Sequence, residues 1–319
     1  MEKGYFCRVV FPLNRIAIEM TYNEFCRMLT ARYDRDEARA VARMVLEVGF
    51  GLSMADVLGG AVEQLSADSQ QRLRQLADRL MEGEPVQYVL GLADFGPRQF
   101  LVEPGVLIPR PETYELCQWV QCTMNNEQCT MNNEQCTMNN EQCTMSNEPC
   151  RILDIGTGSG CIACTLAAEM PHAQLTAWDL SPVALAVAKR NAERLAVSID
   201  FEQRDMLKVR YGSDSGRWDI IVSNPPYVCD SEADDMADWV LDYEPEIALF
   251  VPDDDPLLFY LHISNYAQSA LREGGQLFFE INPRFDEAIE DILLGLGFDD
   301  ITVRQDQFGK NRFVKARWH

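Results

Sequence analysis

Apolar positions along the chain change their spacing twice. From residue 21 to about residue 83 they recur at intervals of three and four, the period of helices that bury one face. Thr21-Tyr22-Asn23-Glu24 has the form of a capping box and opens a first helix. Asp34-Arg35-Asp36-Glu37 opens a second, with Ala38, Val41, Ala42 and Val45 on one face. Ser53 can cap a short third helix closed by Gly59-Gly60. Ser66 precedes a fourth, with Leu73, Leu76, Ala77 and Leu80 as its stripe and Gly83 as its stop. A small helical bundle is expected over 21–90, suited to packing or partner binding and without residues that look catalytic.

Between about 88 and 110 the spacing shortens to alternation, with Gly and Pro punctuation. Residues 95–102 and 106–108 predict a hairpin turning at Glu103-Pro104-Gly105, so 91–110 reads as a β-hairpin linker. A helix starting in Pro109-Arg110-Pro111-Glu112-Thr113 then runs to about Val120. Beyond residue 150, short β-branched runs at 151–155, 175–178, 199–203, 219–222 and 275–281 alternate with helical patterns. Residues 300–303 and 312–316 read as a closing antiparallel pair. Such alternation predicts an α/β domain over 111–319: a doubly wound, mainly parallel sheet with an antiparallel last strand.

Two stretches stand outside these patterns. Residues 1–20 are read as an extension, with natural translation starting at Met20, directly before the first capping box. Residues 121–148 hold Gln-Cys-Thr-Met-Asn-Asn-Glu three times and a fourth copy with Ser146. Their Cys and Met lie two apart, which cannot form a heptad seam. The cysteines at 122, 129, 136, 143 and 150 recur without the close pairs of zinc sites. A low-complexity insertion over 121–150 is expected. It enters at the amino end of the sheet, whereas ligands in such folds sit at the carboxyl ends.

Composition narrows the function. The 319-residue chain has a formal net charge of −22, which opposes tight binding to a phosphate backbone, so no direct nucleic-acid contact is expected. No secretory signal or membrane span is visible near the amino end. Eleven cysteines without an export signal predict reduced thiols and a cytoplasmic location. No metal site is expected. Cys161 and Cys164 read as core packing behind a glycine loop, and His172 and His319 as surface residues.

The chemistry-bearing stretches are two. Asp154-Ile155-Gly156-Thr157-Gly158-Ser159-Gly160 follows a strand core and leads into a helix, where glycines let the backbone approach a ligand. Asp179 ends the next strand 19 residues after Gly160, where a carboxylate can accept both hydroxyls of a ribose. A dinucleotide or S-adenosylmethionine would suit these features. The Gly-x-Gly-x-Gly spacing departs from the dinucleotide fingerprint. Asp154 would repel a pyrophosphate and suits a sulfonium and an amino group, so S-adenosylmethionine is the reading. Asp205 is placed to meet the adenine amino group, with Met206 packing on the ring. The second stretch is a buried strand, Trp218-Asp219-Ile220-Ile221-Val222-Ser223, that ends in Asn224-Pro225-Pro226-Tyr227. One amide, proline-stiffened carbonyls and a ring can hold a planar NH2 group as it receives a methyl group.

With Gly83-Glu84-Pro85-Val86-Gln87-Tyr88, Leu107-Ile108-Pro109-Arg110-Pro111-Glu112-Thr113, Tyr243-Glu244-Pro245 and Ala248-Leu249, these stretches resemble the PrmC/HemK family of protein-(glutamine-N5) methyltransferases. The Asn-Pro-Pro-Tyr motif alone is shared with DNA and ribosomal RNA amino-methyltransferases. The resemblance implies a class I S-adenosylmethionine methyltransferase domain after a helical substrate-recognition domain. It also implies methylation of the glutamine amide in the Gly-Gly-Gln motif of class 1 peptide chain release factors. Asn224, Pro225 and Tyr227 would carry catalysis and, with Pro226, hold the acceptor; Asn224 would also touch the donor, and a monomer is expected. Arg110 is either near the acceptor or in a helix-start salt bridge. The chain departs from the family at Tyr114, expected to alter the donor-pocket wall, and at Asn282. Neither is expected to touch the tetrapeptide. Two alternatives are an amino-group methyltransferase on nucleic acid, such as adenine N6, and a non-catalytic S-adenosylmethionine-binding docking protein. Residues 228–256 hold eleven Asp or Glu and no Lys or Arg, which reads as a solvated loop or as a docking rim for a basic partner.

Overall fold

The computed structural model describes residues 19–124 and 149–319. The start at Met20 and the tandem repeat therefore fall on residues 1–18 and 125–148, which lie outside the described residues. By internal contacts the chain divides after Leu90 into two compact units.

The first unit is helical: α1 (Tyr22–Leu29), α2 (Arg35–Phe50), α3 (Met54–Leu58), α4 (Ala67–Glu82) and α5 (Val86–Leu90). Local chemistry sets each end. Thr21 and Glu24 form the reciprocal capping box, Asp34 accepts from the Asp36 and Glu37 amides, and Ser53 pairs with Asp56. Gly83 ends α4 at φ 97°, a left-handed conformation that glycine adopts without a Cβ penalty. Phe25, Leu29, Val45, Leu46, Leu73 and Leu80 are fully buried together. Gln70, also buried, donates to the Val62 carbonyl at 2.7 Å and accepts from the Met20 amide at 2.8 Å. Helix α5, starting beside Pro85, was not expected from the pattern.

The second unit opens with a hairpin, β1 (Leu92–Phe95) and β2 (Arg98–Leu101), then α6 (Pro111–Met124). The hairpin turns at Gly96-Pro97, not at Glu103-Pro104-Gly105 as the sequence suggested: Phe95 pairs with Arg98, and Gly96 takes φ 57°. Then come β3 (Arg151–Ile155), α7 (Cys161–Glu169), β4 (Gln174–Asp179), α8 (Pro182–Arg194), β5 (Ile199–Gln203) and β6 (Trp218–Ser223). A short insert follows, with β7 (Val228–Cys229), α9 (Asp238–Tyr243) and β8 (Phe250–Val251). The chain closes with α10 (Leu258–Ala270), β9 (Leu271–Glu280), α11 (Asp286–Gly295), β10 (Asp299–Gln305) and β11 (Asn311–Arg317).

Seven strands form one sheet in the order β10-β11-β9-β6-β3-β4-β5. β3 pairs in parallel with both β4 and β6, and only β11 runs antiparallel to its neighbours β9 and β10. The expected doubly wound α/β architecture with its antiparallel closing strand is therefore observed. Each face carries a core: Trp178, Trp218, Tyr260 and Tyr266 on one, and Phe100, Leu116, Phe278 and Phe313 on the other. Because β4 and β6 leave β3 on opposite sides, their carboxyl ends open a crevice where such sheets bind ligands.

The acidic stretch 228–256 is not a bare loop. β7 and β8 pair in parallel, Glu232 caps the turn after Cys229, and Ser231 donates to Asp253 at 2.8 Å. Among the described cysteines, Cys26, Cys117, Cys150, Cys161, Cys164 and Cys229 are free thiols, as expected. His319, read as a surface residue, is exposed, with its Nε2 against the Asp299 carboxylate.

Candidate active site

Where β3 ends, Gly156 and Gly158 turn with φ of 75° and 55°, and both the Gly156 and Thr157 amides donate to the Trp178 carbonyl at 2.9 Å. A Cβ built on either glycine meets nothing within 4 Å, so the loop presents bare backbone. Gly160 serves packing instead: a Cβ there would lie 3.0 Å from the Ala188 side chain of α8. Asn191, one turn on, is fully buried and donates to the Ser159 carbonyl at 2.9 Å.

Beneath the loop lies Asp154. Its Oδ2 accepts from the Thr157 hydroxyl at 2.6 Å and the Ala163 amide at 3.2 Å, while its Oδ1 has no partner. Burial pushes this carboxyl up to about 7, against the pull of those two hydrogen bonds. Asp154 thus stands behind the wall and braces the loop. It is not placed to face a sulfonium or amino group as its sequence position suggested.

Asp179 at the end of β4 accepts from the Gly158 amide through one oxygen and the Ser181 amide through the other, each at 2.8 Å. Burial holds its carboxyl above the usual range, opposed by these N–H groups. With the Leu180 amide as a third donor, the carboxylate still keeps a lone pair for a further one. Loop, Asp179 and β6 meet at one cavity of about 280 Å³, lined also by Trp178, Leu180, Arg204, Asp205, Met206 and Phe259. Asp205 is held below the ordinary carboxylate range by the ammonium of Lys208, 2.6 Å away.

The other end of the cavity is formed by Ser223, Asn224, Pro225 and Pro226, with Val106, Pro109, Arg110 and Thr113. The Ser223 hydroxyl donates to the Ile155 carbonyl at 2.7 Å and so ties the end of β6 to the end of β3. Asn224 donates its amide nitrogen to Thr113 Oγ1 at 3.1 Å. The Thr113 hydroxyl donates to Glu280 Oε2 at 2.7 Å, and Tyr227 donates to Glu280 Oε1 at 3.0 Å. Glu280 ends β9 fully inside the protein. Burial raises its carboxyl, against the Thr113 and Tyr227 hydroxyls and the charge of Arg312.

Of the residues singled out from sequence, Arg110, Gly156, Thr157, Gly158, Ser159, Asp179, Asp205, Met206, Asn224, Pro225 and Pro226 share this cavity. Asp154, Gly160 and Tyr227 stand behind its wall. The ring of Tyr227 packs on the core and its hydroxyl is spent on Glu280, so it is not presented to an acceptor. Arg110, directly before α6, forms a salt bridge as one reading expected, but with a remote partner: it meets the buried Glu244, 134 positions away, at 2.5 Å and lies over the Trp239 ring. Tyr114 points away from the cavity and stacks edge-on against Phe95 at 5.5 Å, beside the hairpin turn. Asn282, expected to stay clear of the tetrapeptide, donates to the Tyr227 carbonyl at 3.1 Å and to Glu232 at 2.9 Å. Sequence reasoning did not assign Thr113, Glu244 or Glu280 to the site. Thr113 and Glu244 stand in stretches that carry the family resemblance, which was their signal, whereas Glu280 is marked only by its place at the end of an apolar strand.

Both units of the chain match known proteins. Residues 21–91 match the family model of the PrmC N-terminal domain, and residues 142–242 match that of the methyltransferase small domain. A release factor glutamine methyltransferase of Bacteroides thetaiotaomicron is 39% identical over 89% of this chain and 94% of its own length. One from Flavobacterium psychrophilum is 36% identical over 92% of this chain and 97% of its own. With both units of the chain covered at this identity, the protein belongs to the release factor glutamine methyltransferase family.

Proposed function

We propose that the protein transfers a methyl group from S-adenosylmethionine to the side-chain amide of the glutamine in the Gly-Gly-Gln motif of class 1 release factors, as a cytoplasmic monomer. The observation that carries this reading is a shared wall: one cavity is lined by the Gly156-to-Ser159 loop with Asp179 and by Asn224 with Pro225. The residues fit the donor. Bare backbone at Gly156 and Gly158 leaves room for close approach, Asp179 retains acceptor capacity for ribose hydroxyls, and Met206, Leu180 and Phe259 offer apolar surface to a base. Bound there, S-adenosylmethionine supplies an electrophilic methyl group on a sulfonium.

The rest of the chemistry falls to the chain. An amide nitrogen is a weak nucleophile because its lone pair is delocalised into the carbonyl. The Asn224 side-chain oxygen and the Pro225 carbonyl accept the two amide hydrogens, fixing the nitrogen and stabilising the positive charge that grows on it. No strong base is required, since the methylated amide cation is highly acidic and loses its proton readily. The proline-rich, largely apolar wall excludes water from the transfer.

The amino-methyltransferase alternative on nucleic acid is disfavoured by the charge of −22. The silent docking protein is disfavoured by an acceptor clamp held intact. Tritiated S-adenosylmethionine offered with purified release factor, duplex DNA and RNA side by side tests all three. Label should enter the release factor alone, and label in nucleic acid or in nothing would overturn the proposal.

A further inference from the structure

We propose that Glu280 is a positioning residue: acting through Thr113, it decides which end of the Asn224 amide faces the acceptor. The inference rests on the function proposed above. The two ends of an amide are nearly the same in shape, and only the hydrogen-bond network tells them apart. Local sequence around Asn224 cannot therefore fix the orientation the reaction needs, with Oδ1 free to accept.

The distances show what does. Thr113 owns a single hydroxyl proton, and that proton is committed to Glu280 Oε2 at 2.7 Å. Towards Asn224, Thr113 Oγ1 can then only accept, so the Asn224 NH2 end is drawn to it at 3.1 Å. Oδ1 is left on the opposite side, available to the substrate amide. The remaining Glu280 oxygen is occupied by the Tyr227 hydroxyl at 3.0 Å, which also anchors the far end of the tetrapeptide. Thr113 is 2% exposed and Glu280 2%, so water does not compete for either bond. A carboxylate is required at this position because it accepts from both hydroxyls and donates to neither. A group able to donate to Thr113 would free the threonine proton to point at Asn224, and the amide would turn over. Arg312 faces the carboxylate from β11 and favours its charge, whereas Glu112 at the start of α6 opposes it.

The test uses the full chain, purified release factor and tritiated donor, with donor affinity measured by calorimetry. Thr113→Val removes the acceptor for the Asn224 NH2 and should lower kcat about tenfold or more. Thr113→Ser, which keeps the hydroxyl, should return it to within about threefold of wild type. Glu280→Gln, isosteric and outside the cavity wall, should lower kcat severalfold while the Kd for S-adenosylmethionine stays within about twofold. The inference is overturned if Val and Gln variants keep wild-type kcat, if Ser is as poor as Val, or if donor affinity falls in step with turnover. Should Glu280→Gln fail to fold, the Val and Ser pair decides alone. A wild-type chain that labels no release factor would instead overturn the functional reading, and this inference with it.

Discussion

At the glycine-loop end of the cavity, partners are close in sequence: Thr157 holds Asp154 three residues away, and Asp179 holds Gly158 across 21. At the Asn224 end they are remote. Asn224 is held by Thr113 across 111 residues, Thr113 by Glu280 across 167, and Tyr227 by Glu280 across 53. The first end is made largely of backbone on a strand-turn-helix, which any sequence with the right glycines can reproduce. The second is made of side chains whose orientation is set by other side chains. A backbone cradle suits a donor common to many methyltransferases, whereas a relay of side chains can be tuned to one acceptor.

The sharpest way to break this division is Asn224→Ala. Turnover should fall about 10²- to 10³-fold, the range for loss of one preorganised partner, with the donor Kd little changed. If calorimetry shows donor binding lost in parallel, the two ends are not separable.

Asp154 tests whether the loop end truly stands on a buried acid. Its folded carboxyl sits at about 7, above the ordinary value of 3.8, because of burial. Between those pH values the folded state holds a proton that the unfolded state has released. Its contribution to stability is therefore greatest below about pH 4, declines as pH rises to about 7, and is level beyond. Asp154→Asn, which cannot ionise, should gain on wild type by roughly 2 kcal/mol between pH 4 and 8, about half of what three pKa units would give in full. Thermal melts of both proteins across that range supply the measurement, and a pH-independent difference would contradict the placement.

A smaller effect is expected from Asp179→Ala. It leaves the Gly158 and Ser181 amides without their acceptor and should raise the KM for S-adenosylmethionine about tenfold, with kcat at saturating donor near wild type. The smallest concerns the acidic insert. If residues 228–256 meet a basic face of the release factor, raising salt from low to physiological strength should increase the protein-substrate KM a few-fold. The donor KM should not respond. Equal salt sensitivity of both constants would erase the contrast.

The same contrast explains what could be read from sequence. The sheet, its closing pair and the helix caps announce themselves through period and cap chemistry, because both are local. So do the glycine loop, Asp179 and Asn224-Pro225-Pro226. The hairpin turn was misplaced because Glu103-Pro104-Gly105 and Gly96-Pro97 are equally good turn signals. What decides between them is tertiary: Tyr114 packs against Gly96, where a Cβ would come within 2.4 Å of its ring. Glu280 was illegible for a related reason. A glutamate at the end of an apolar strand resembles any strand terminus until its two partners, on α6 and after β6, are seen to converge on it. Tyr227 was read as substrate-facing because a ring there could cover a planar NH2 group, but a buried carboxylate within 3.0 Å claimed its hydroxyl.

The described chain leaves α6 at Met124 and resumes at Pro149, just before β3. β3 then carries it through five residues, roughly 17 Å at strand rise, before the Gly156 turn is reached. A full strand therefore separates Pro149 from the candidate site, and the two lie toward opposite rims of the sheet. Cargo attached beside Pro149, such as an affinity handle or a fluorescent label, would ride at the opposite rim of the sheet and leave the candidate site open to its protein client.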